Sequence, residues 1–227
     1  IAVVLVEPMM GAAGCIAATD EYLAALRVRC DAVGALLVFD EVMTSRAAYG
    51  GAQSLSGVLP DLTTLGKYLA GGMTFGAFGG RSDLMGAFDP ARGGTLTHGG
   101  TFNNNVVTMA AGAAADELLD ERSLAELFAR GERLRAALND VFTRSGADWT
   151  ATGMGSFLNL HPVPGPVSSP LDLDGAEPAR RELLFHELLD RGWYIAPRGY
   201  LALSMAVTDE HVDGFVDAVG EVIPDLP

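Results

Sequence analysis

Hydrophobic and polar positions along this chain switch between two periods. Ile1 to Val6 (IAVVLV) is an unbroken apolar run, the pattern of a strand buried on both faces of a parallel sheet, and Pro8 ends it. After a Gly-rich connection, Tyr22, Leu23, Leu26 and Cys30 recur at helical spacing, which predicts a helix from Asp20 to about Ala32. Thr19 is placed to cap that helix and Gly34 to stop it. A second apolar run, Ala35 to Phe39, follows at once, so strand, helix and strand read as a βαβ unit with a right-handed crossover. A strand as apolar as the first needs neighbours on both sides. The chain is therefore expected to be the later part of a longer protein, with some of the sheet lying upstream of residue 1.

Pro60 to Leu65 predicts a third short strand, and Met73 to Gly80 a fourth in which aromatic and small residues alternate. A hydroxyl- and amide-rich loop, residues 93–105 (GGTLTHGGTFNNN), precedes a helix of small residues from about Val106 to Leu119. Beyond Asp120 the pattern changes. Leu127, Leu134, Leu138 and Val141 form one face of a long helix over Leu124 to Phe142. Strands are expected within Trp149 to Leu160, a loop over 162–170, and a helix over Pro178 to Arg191. A strand pair at Trp193 to Ala196 and Tyr200 to Met205, then a helix over Asp209 to Val222, complete the pattern. The expected fold class is α/β, with residues 1–120 a partial large domain on a mainly parallel sheet and 121–227 a small C-terminal α+β domain.

Composition narrows the partners. With 29 acidic against 15 basic side chains the formal charge is −14, and no basic stripe is present to bind nucleic acid or an anionic membrane surface. No apolar run reaches the roughly 20 residues needed to span a bilayer. Cys15 and Cys30 form no CxxC pair and no Cys/His cluster has metal-ligand spacing, so no metal is expected and the thiols fit a reducing cytoplasm.

Candidate chemistry gathers where the second strand ends. Asp40 and Glu41 follow the apolar run directly, and Glu7 follows the first, so carboxylates stand beyond the carboxyl ends of successive strands, where open parallel sheets bind ligands. Lys67 sits in a Gly-bounded turn, with Gly66 before it and Gly71 and Gly72 behind. Gly66-Lys67 is not a nucleotide phosphate loop, because Asp61 stands at the first Gly of that motif and Tyr68 at its Ser or Thr. A lysine amine has an ordinary pKa of about 10.4 and is a poor nucleophile unless its surroundings favour the neutral or imine form. Asp40 and Lys67 are thus candidates for the two poles of an imine-forming cofactor site.

The segments DEVMTSR, PDLTTLGKYLAGG, GAFGGRSDLM and GGTFNNNVVTMAAG resemble the class III (ω-type) aminotransferases of fold type I, in the branch that contains the glutamate-1-semialdehyde aminomutases. Through MTSR, GMTFGAFGGR, GTFNNN and APRGYLALS the chain is more similar still to β-phenylalanine-type aminotransferases. The resemblance covers essentially all 227 residues. It implies pyridoxal 5'-phosphate (PLP) as cofactor, Lys67 as the Schiff-base lysine and proton carrier, Asp40 as partner of the ring nitrogen, and Val42 packed on a ring face. It further implies Glu7 in the cofactor's hydrogen-bond network, and Thr101 reaching the phosphate bound by a neighbouring subunit in a homodimer with shared active sites. Arg198, in APRGY, is similar to an arginine that receives a substrate carboxylate, and Arg46 is a second such contact. The activity implied is transfer of an amino group from an amino acid, β-amino acids included, to a 2-oxo acid. The alternatives are a glutamate-1-semialdehyde aminomutase and an inactive truncated fragment, since the upstream part of the large domain is absent. Ala12 after the EP motif and a C-terminal loop shorter than that of the aminomutases favour the intermolecular reaction.

Overall fold

The computed structural model describes residues 1–226, which divide into two compact units. Residues 1–8 and 18–121 form the first unit, and residues 9–17 with those from 122 onward form the second.

The first unit is built on a four-stranded sheet. Its strands are β1 (Val3–Val6), β4 (Leu36–Asp40), β5 (Leu62–Gly66) and β6 (Gly76–Gly80), and they lie in that order across the sheet. The first three are parallel and β6 runs antiparallel to β5. Helix α1 (Asp20–Val33) makes the crossover from β1 to β4. Thr19 accepts from the Tyr22 N–H at its start, and Gly34 closes it in the left-handed region. Leu23 and Cys30 of α1 pack on Ala35, Leu37 and Phe39, which gives this unit its core. Two short helices, α2 (Ala52–Ser56) and α3 (Ser82–Met85), and the longer α4 (Val106–Asp116) complete the unit. β1 departs from its apolar sequence: Val4 and Val6 pack against the core beneath α1, whereas Val3, 48% exposed, and Leu5, 63% exposed, point to the opposite face of this edge strand.

The second unit is organised by α5 (Glu121–Ser145), longer by three residues at each end than its periodicity predicts. Leu127, Leu134, Leu138, Val141 and Phe142 on one face of α5 pack with Ala151, Leu158 and Leu160 of β7 (Thr150–Met154) and β8 (Phe157–His161). Leu184 and Leu188 of α6 (Pro178–Asp190) and Val212, Phe215 and Val219 of α7 (Asp209–Val222) join the same core. β7, β8 and β9 (Tyr200–Ala202) make an antiparallel sheet. The strand expected at Trp193 to Ala196 does not form. Gly192 turns the chain through φ 84°, and Pro197 has no N–H to offer a ladder. The Gly-rich connection after Pro8 instead holds a small hairpin, β2 (Met9–Met10) with β3 (Ile16–Ala17). Its Gly14 carbonyl accepts from the Thr152 hydroxyl at 2.6 Å and lies 3.0 Å from Nε2 of His161. Burial pushes the His161 pKa down, and Arg181 adds to this.

Candidate active site

Register places the candidate residues along one edge of the first unit. Val6 pairs with Phe39 and Asp40 with Thr64, so Glu7 falls level with Asp40 and Lys67 lies three residues beyond Thr64. Glu7, Asp40 and Lys67 therefore leave the carboxyl ends of three neighbouring parallel strands, the position where such sheets bind ligands. Asp40 is half-buried, and its Oδ1 accepts from the Val42 N–H at 3.0 Å, which turns the chain off the strand. The Val42 methyls stand 3.4 and 3.6 Å from where a Cβ on Gly66 would be. Those are ordinary contact distances; the tighter neighbour of Gly66 is the Phe75 carbonyl oxygen, 3.2 Å from the same point.

Lys67 opens a 3-10 turn, Lys67–Ala70, with φ 54°. A long side chain in the left-handed region costs conformational energy, and such strain gathers at functional positions. Lys67 is exposed, and it is the chain's single lysine, the rest of the 15 basic residues being arginine. Among the described residues neither Asp40 nor Lys67 has an ion-pair partner. The turn is seated on α4 through small residues. A Cβ on Gly71 would meet the Ala111 carbonyl oxygen at 2.7 Å, and one on Gly112 would stand 3.0 Å from the Leu69 carbonyl oxygen. That close approach explains why α4 carries small residues, Ala111 and Gly112, where it meets the turn.

Asp40 and Glu41 were expected together at the strand tip, and the structure separates them. Glu41 is fully buried and turns back into the following loop. Its carboxylate accepts from the Ala52 N–H at 2.7 Å, the Gln53 N–H at 2.8 Å and the Thr44 hydroxyl at 3.0 Å. Alternation along a strand sends adjacent side chains to opposite faces, so two consecutive carboxylates cannot both line one cleft. The loop that Glu41 closes carries Arg46, whose guanidinium carbon stands 5.5 Å over the Tyr68 ring.

Thr101 is exposed in the loop before α4, whose first turn is capped by the Asn105 side chain accepting from Val107 and Thr108. A broad depression of 1140 Å³ is lined by this loop, by residues 73–78 and by Met85 and Phe88, but by neither Lys67 nor Asp40. The chemistry of the donor set, not volume, marks the site. Arg198 belongs to the second unit, at a turn where Gly199 adopts φ 82° and its carbonyl accepts from the Leu160 N–H at 2.9 Å. The Arg198 guanidinium lies 5.3 Å over the Tyr200 ring, and among the described residues it pairs with no carboxylate. Arg181 donates to the Arg198 carbonyl at 3.3 Å.

Asp61, absent from the sequence-based candidates, has a strongly shifted pKa. Burial works to raise it, but the Leu37 N–H and the guanidinium groups of Arg81 and Arg27 outweigh burial and hold it at about 2. This carboxylate ties α1, β4 and the end of β6 together, a structural task in which every oxygen is already used.

With an antiparallel strand at the edge of a parallel sheet and a small α+β unit beside it in sequence, the chain is an α/β protein, and it belongs to the class-III aminotransferases. The family model matches residues 1–223. The chain is 52% identical over 224 residues to the β-phenylalanine transaminase of Variovorax paradoxus, covering 98% of this chain and 51% of that protein. It is 42% identical over 225 residues to a glutamate-1-semialdehyde 2,1-aminomutase of Desulforudis audaxviator, covering 97% and 52%. The crystal structure of a β-phenylalanine aminotransferase from Variovorax paradoxus superimposes with a TM-score of 0.95 at 51% identity, over 98% of this chain and 52% of that one. The chain thus spans about half the length of the curated relatives it matches.

Proposed function

We propose that this chain is part of a PLP-dependent aminotransferase that moves an amino group from an amino acid, β-amino acids included, to a 2-oxo acid. One observation carries the reading: an amine and a half-buried carboxylate leave the ends of adjacent parallel strands, and neither is committed to an ion pair among the described residues. This donor set fits PLP. A carboxylate without a cationic partner suits a protonated ring nitrogen, and an amine without a carboxylate partner suits an aldehyde. When bound, PLP supplies an aldehyde for amines and a pyridinium ring that accepts electrons from the carbon next to the nitrogen.

In this reading Asp40 keeps the ring nitrogen protonated, Val42 packs on one ring face, and Glu7 supports the hydrogen-bond network. Lys67 binds the cofactor through Nζ. Freed by the incoming amine, the same Nζ would carry the proton between the substrate carbon and the cofactor carbon. Arg198 and Arg46 receive substrate carboxylates, for which a planar guanidinium offers paired N–H donors. Thr101 reaches the phosphate held by a second copy, so the working unit is a homodimer with shared sites. Residues 1–120 are the C-terminal part of the PLP-binding large domain and 121–227 the small domain. The two free, buried thiols fit a cytoplasmic enzyme. No described helix is long and apolar enough to cross a membrane.

The test is amino exchange between β-phenylalanine and 2-oxoglutarate by the full-length protein. Exchange that is lost in Lys67→Ala supports the reading. Conversion of glutamate 1-semialdehyde without any exchange would replace it with the aminomutase reaction.

A further inference from the structure

Tyr68 follows Lys67 directly in the 3-10 turn, so the base of its side chain begins about 3.8 Å from the lysine Cα. Its ring is half-buried; burial raises the pKa of the phenol, and the Ser45 side chain and then the Arg46 cation oppose the rise. The 5.5 Å separation of the Arg46 guanidinium from the ring centre lies within the range over which an aromatic face attracts a cation.

The backbone around Arg46 is also held. Arg46 closes the 3-10 turn Thr44–Arg46, and that turn is tied to the buried Glu41 through Thr44 and Ser45. The Thr44 hydroxyl and the Ala52 and Gln53 N–H groups donate to the Glu41 carboxylate, and the Ser45 N–H donates to the Glu41 carbonyl at 3.0 Å. Gly51, at φ 75°, is part of the same clamp, because a Cβ there would stand 2.7 Å from both Glu41 oxygens. A guanidinium drawn to an aromatic face is held at one place, and its planar set of N–H donors is what binds carboxylates. An arginine already held in one orientation loses less rotamer freedom when a ligand arrives.

We propose that Tyr68 is a positioning residue that sets substrate preference: its ring holds the Arg46 guanidinium beside the Lys67 turn, so that amines bearing a carboxylate are favoured over plain amines. The inference rests on the reading of Lys67 and Arg46 given under the proposed function. Tyr68 touches neither reacting atoms nor cofactor in this account and acts through Arg46.

The experiment uses the full-length holoenzyme with two donors, β-phenylalanine and 1-phenylethylamine, which is the same amine without the carboxyl group. Tyr68→Phe keeps the ring and Tyr68→Leu removes it. Tyr68→Leu is expected to raise KM for β-phenylalanine by about fivefold to tenfold with little change in kcat, and to leave 1-phenylethylamine unaffected. Tyr68→Phe stays near the parent for both donors, and Tyr68→Leu adds nothing in an Arg46→Ala background. A readout independent of turnover is the calorimetric Kd of 3-phenylpropanoate, a carboxylate with no amine to react, which weakens by the same factor in Tyr68→Leu only. Equal losses for both donors, or no loss of carboxylate binding in Tyr68→Leu while Arg46→Ala loses it, overturns the role of Tyr68. Carboxylate binding untouched by Arg46→Ala overturns the reading of Arg46, and full exchange in Lys67→Ala overturns that of the site, so the failures are told apart.

Discussion

Asp61 accepts from one backbone N–H and two guanidinium groups while only 5% of its side chain is exposed, so it is stabilised chiefly in its charged form. Its pKa in the folded protein, about 2, lies below the ordinary 3.8, so the stabilisation is fully present above pH 3.8 and is lost as the pH falls through about 2. Asp61→Asn is expected to lower the unfolding free energy at neutral pH by about 2 kcal/mol, with the deficit shrinking across that acidic window. Urea unfolding of parent and variant as a function of pH measures this. A deficit independent of pH would show that the hydrogen bonds matter and the charge does not. Sequence gave no hint of Asp61, because the residues that shift it come from α1 and from the end of β6, 34 and 20 positions away. The placement of Asp40 and Lys67 beyond neighbouring strand ends was legible for the opposite reason: each position is marked locally, by an apolar run that ends or by glycines on either side. Glu41 was half legible. The strand period of two already separates it from Asp40, but the loop groups it clamps lie as far off as Gln53.

At the scale of elements, local signals set helix ends better than strand ends. Thr19 and Gly34 bound α1 as their capping chemistry predicts, and Pro178 opens α6. β9 is shorter than expected and has no partner at 193–196, since pairing is decided by neighbours the chain meets only after folding. Close packing of α5 on the β7–β8 turn was likewise invisible in its periodicity. A Cβ on Gly131 would lie 1.9 Å from the Gly155 carbonyl oxygen, a backbone atom that cannot move aside cheaply. Gly131→Ala should therefore destabilise the protein by about 3 kcal/mol despite the better helix propensity of alanine. Gly146, just past the end of α5 at φ 67°, has open space around it, and Gly146→Ala should cost only about 1 kcal/mol. Thermal unfolding of the two variants checks the order; equal losses would mean that α5 shifts to relieve the clash.

For the whole molecule, the first six residues carry the most information. An apolar strand lying bare at a sheet edge is a liability that folded proteins cover, and β1 presents Val3 and Leu5 in that state. The chain spans about half the length of its curated relatives. Residues 1–120 supply an amine, a carboxylate and a Val at the carboxyl ends of neighbouring strands. The central claim is that Lys67 is the amine that binds PLP. Borohydride reduction of the full-length protein with PLP, followed by peptide mapping, tests it most directly. The account predicts a pyridoxyl group on the peptide that contains Lys67, and none on that peptide in Lys67→Ala. An adduct confined to a different lysine, or none at all in a folded protein, would contradict it.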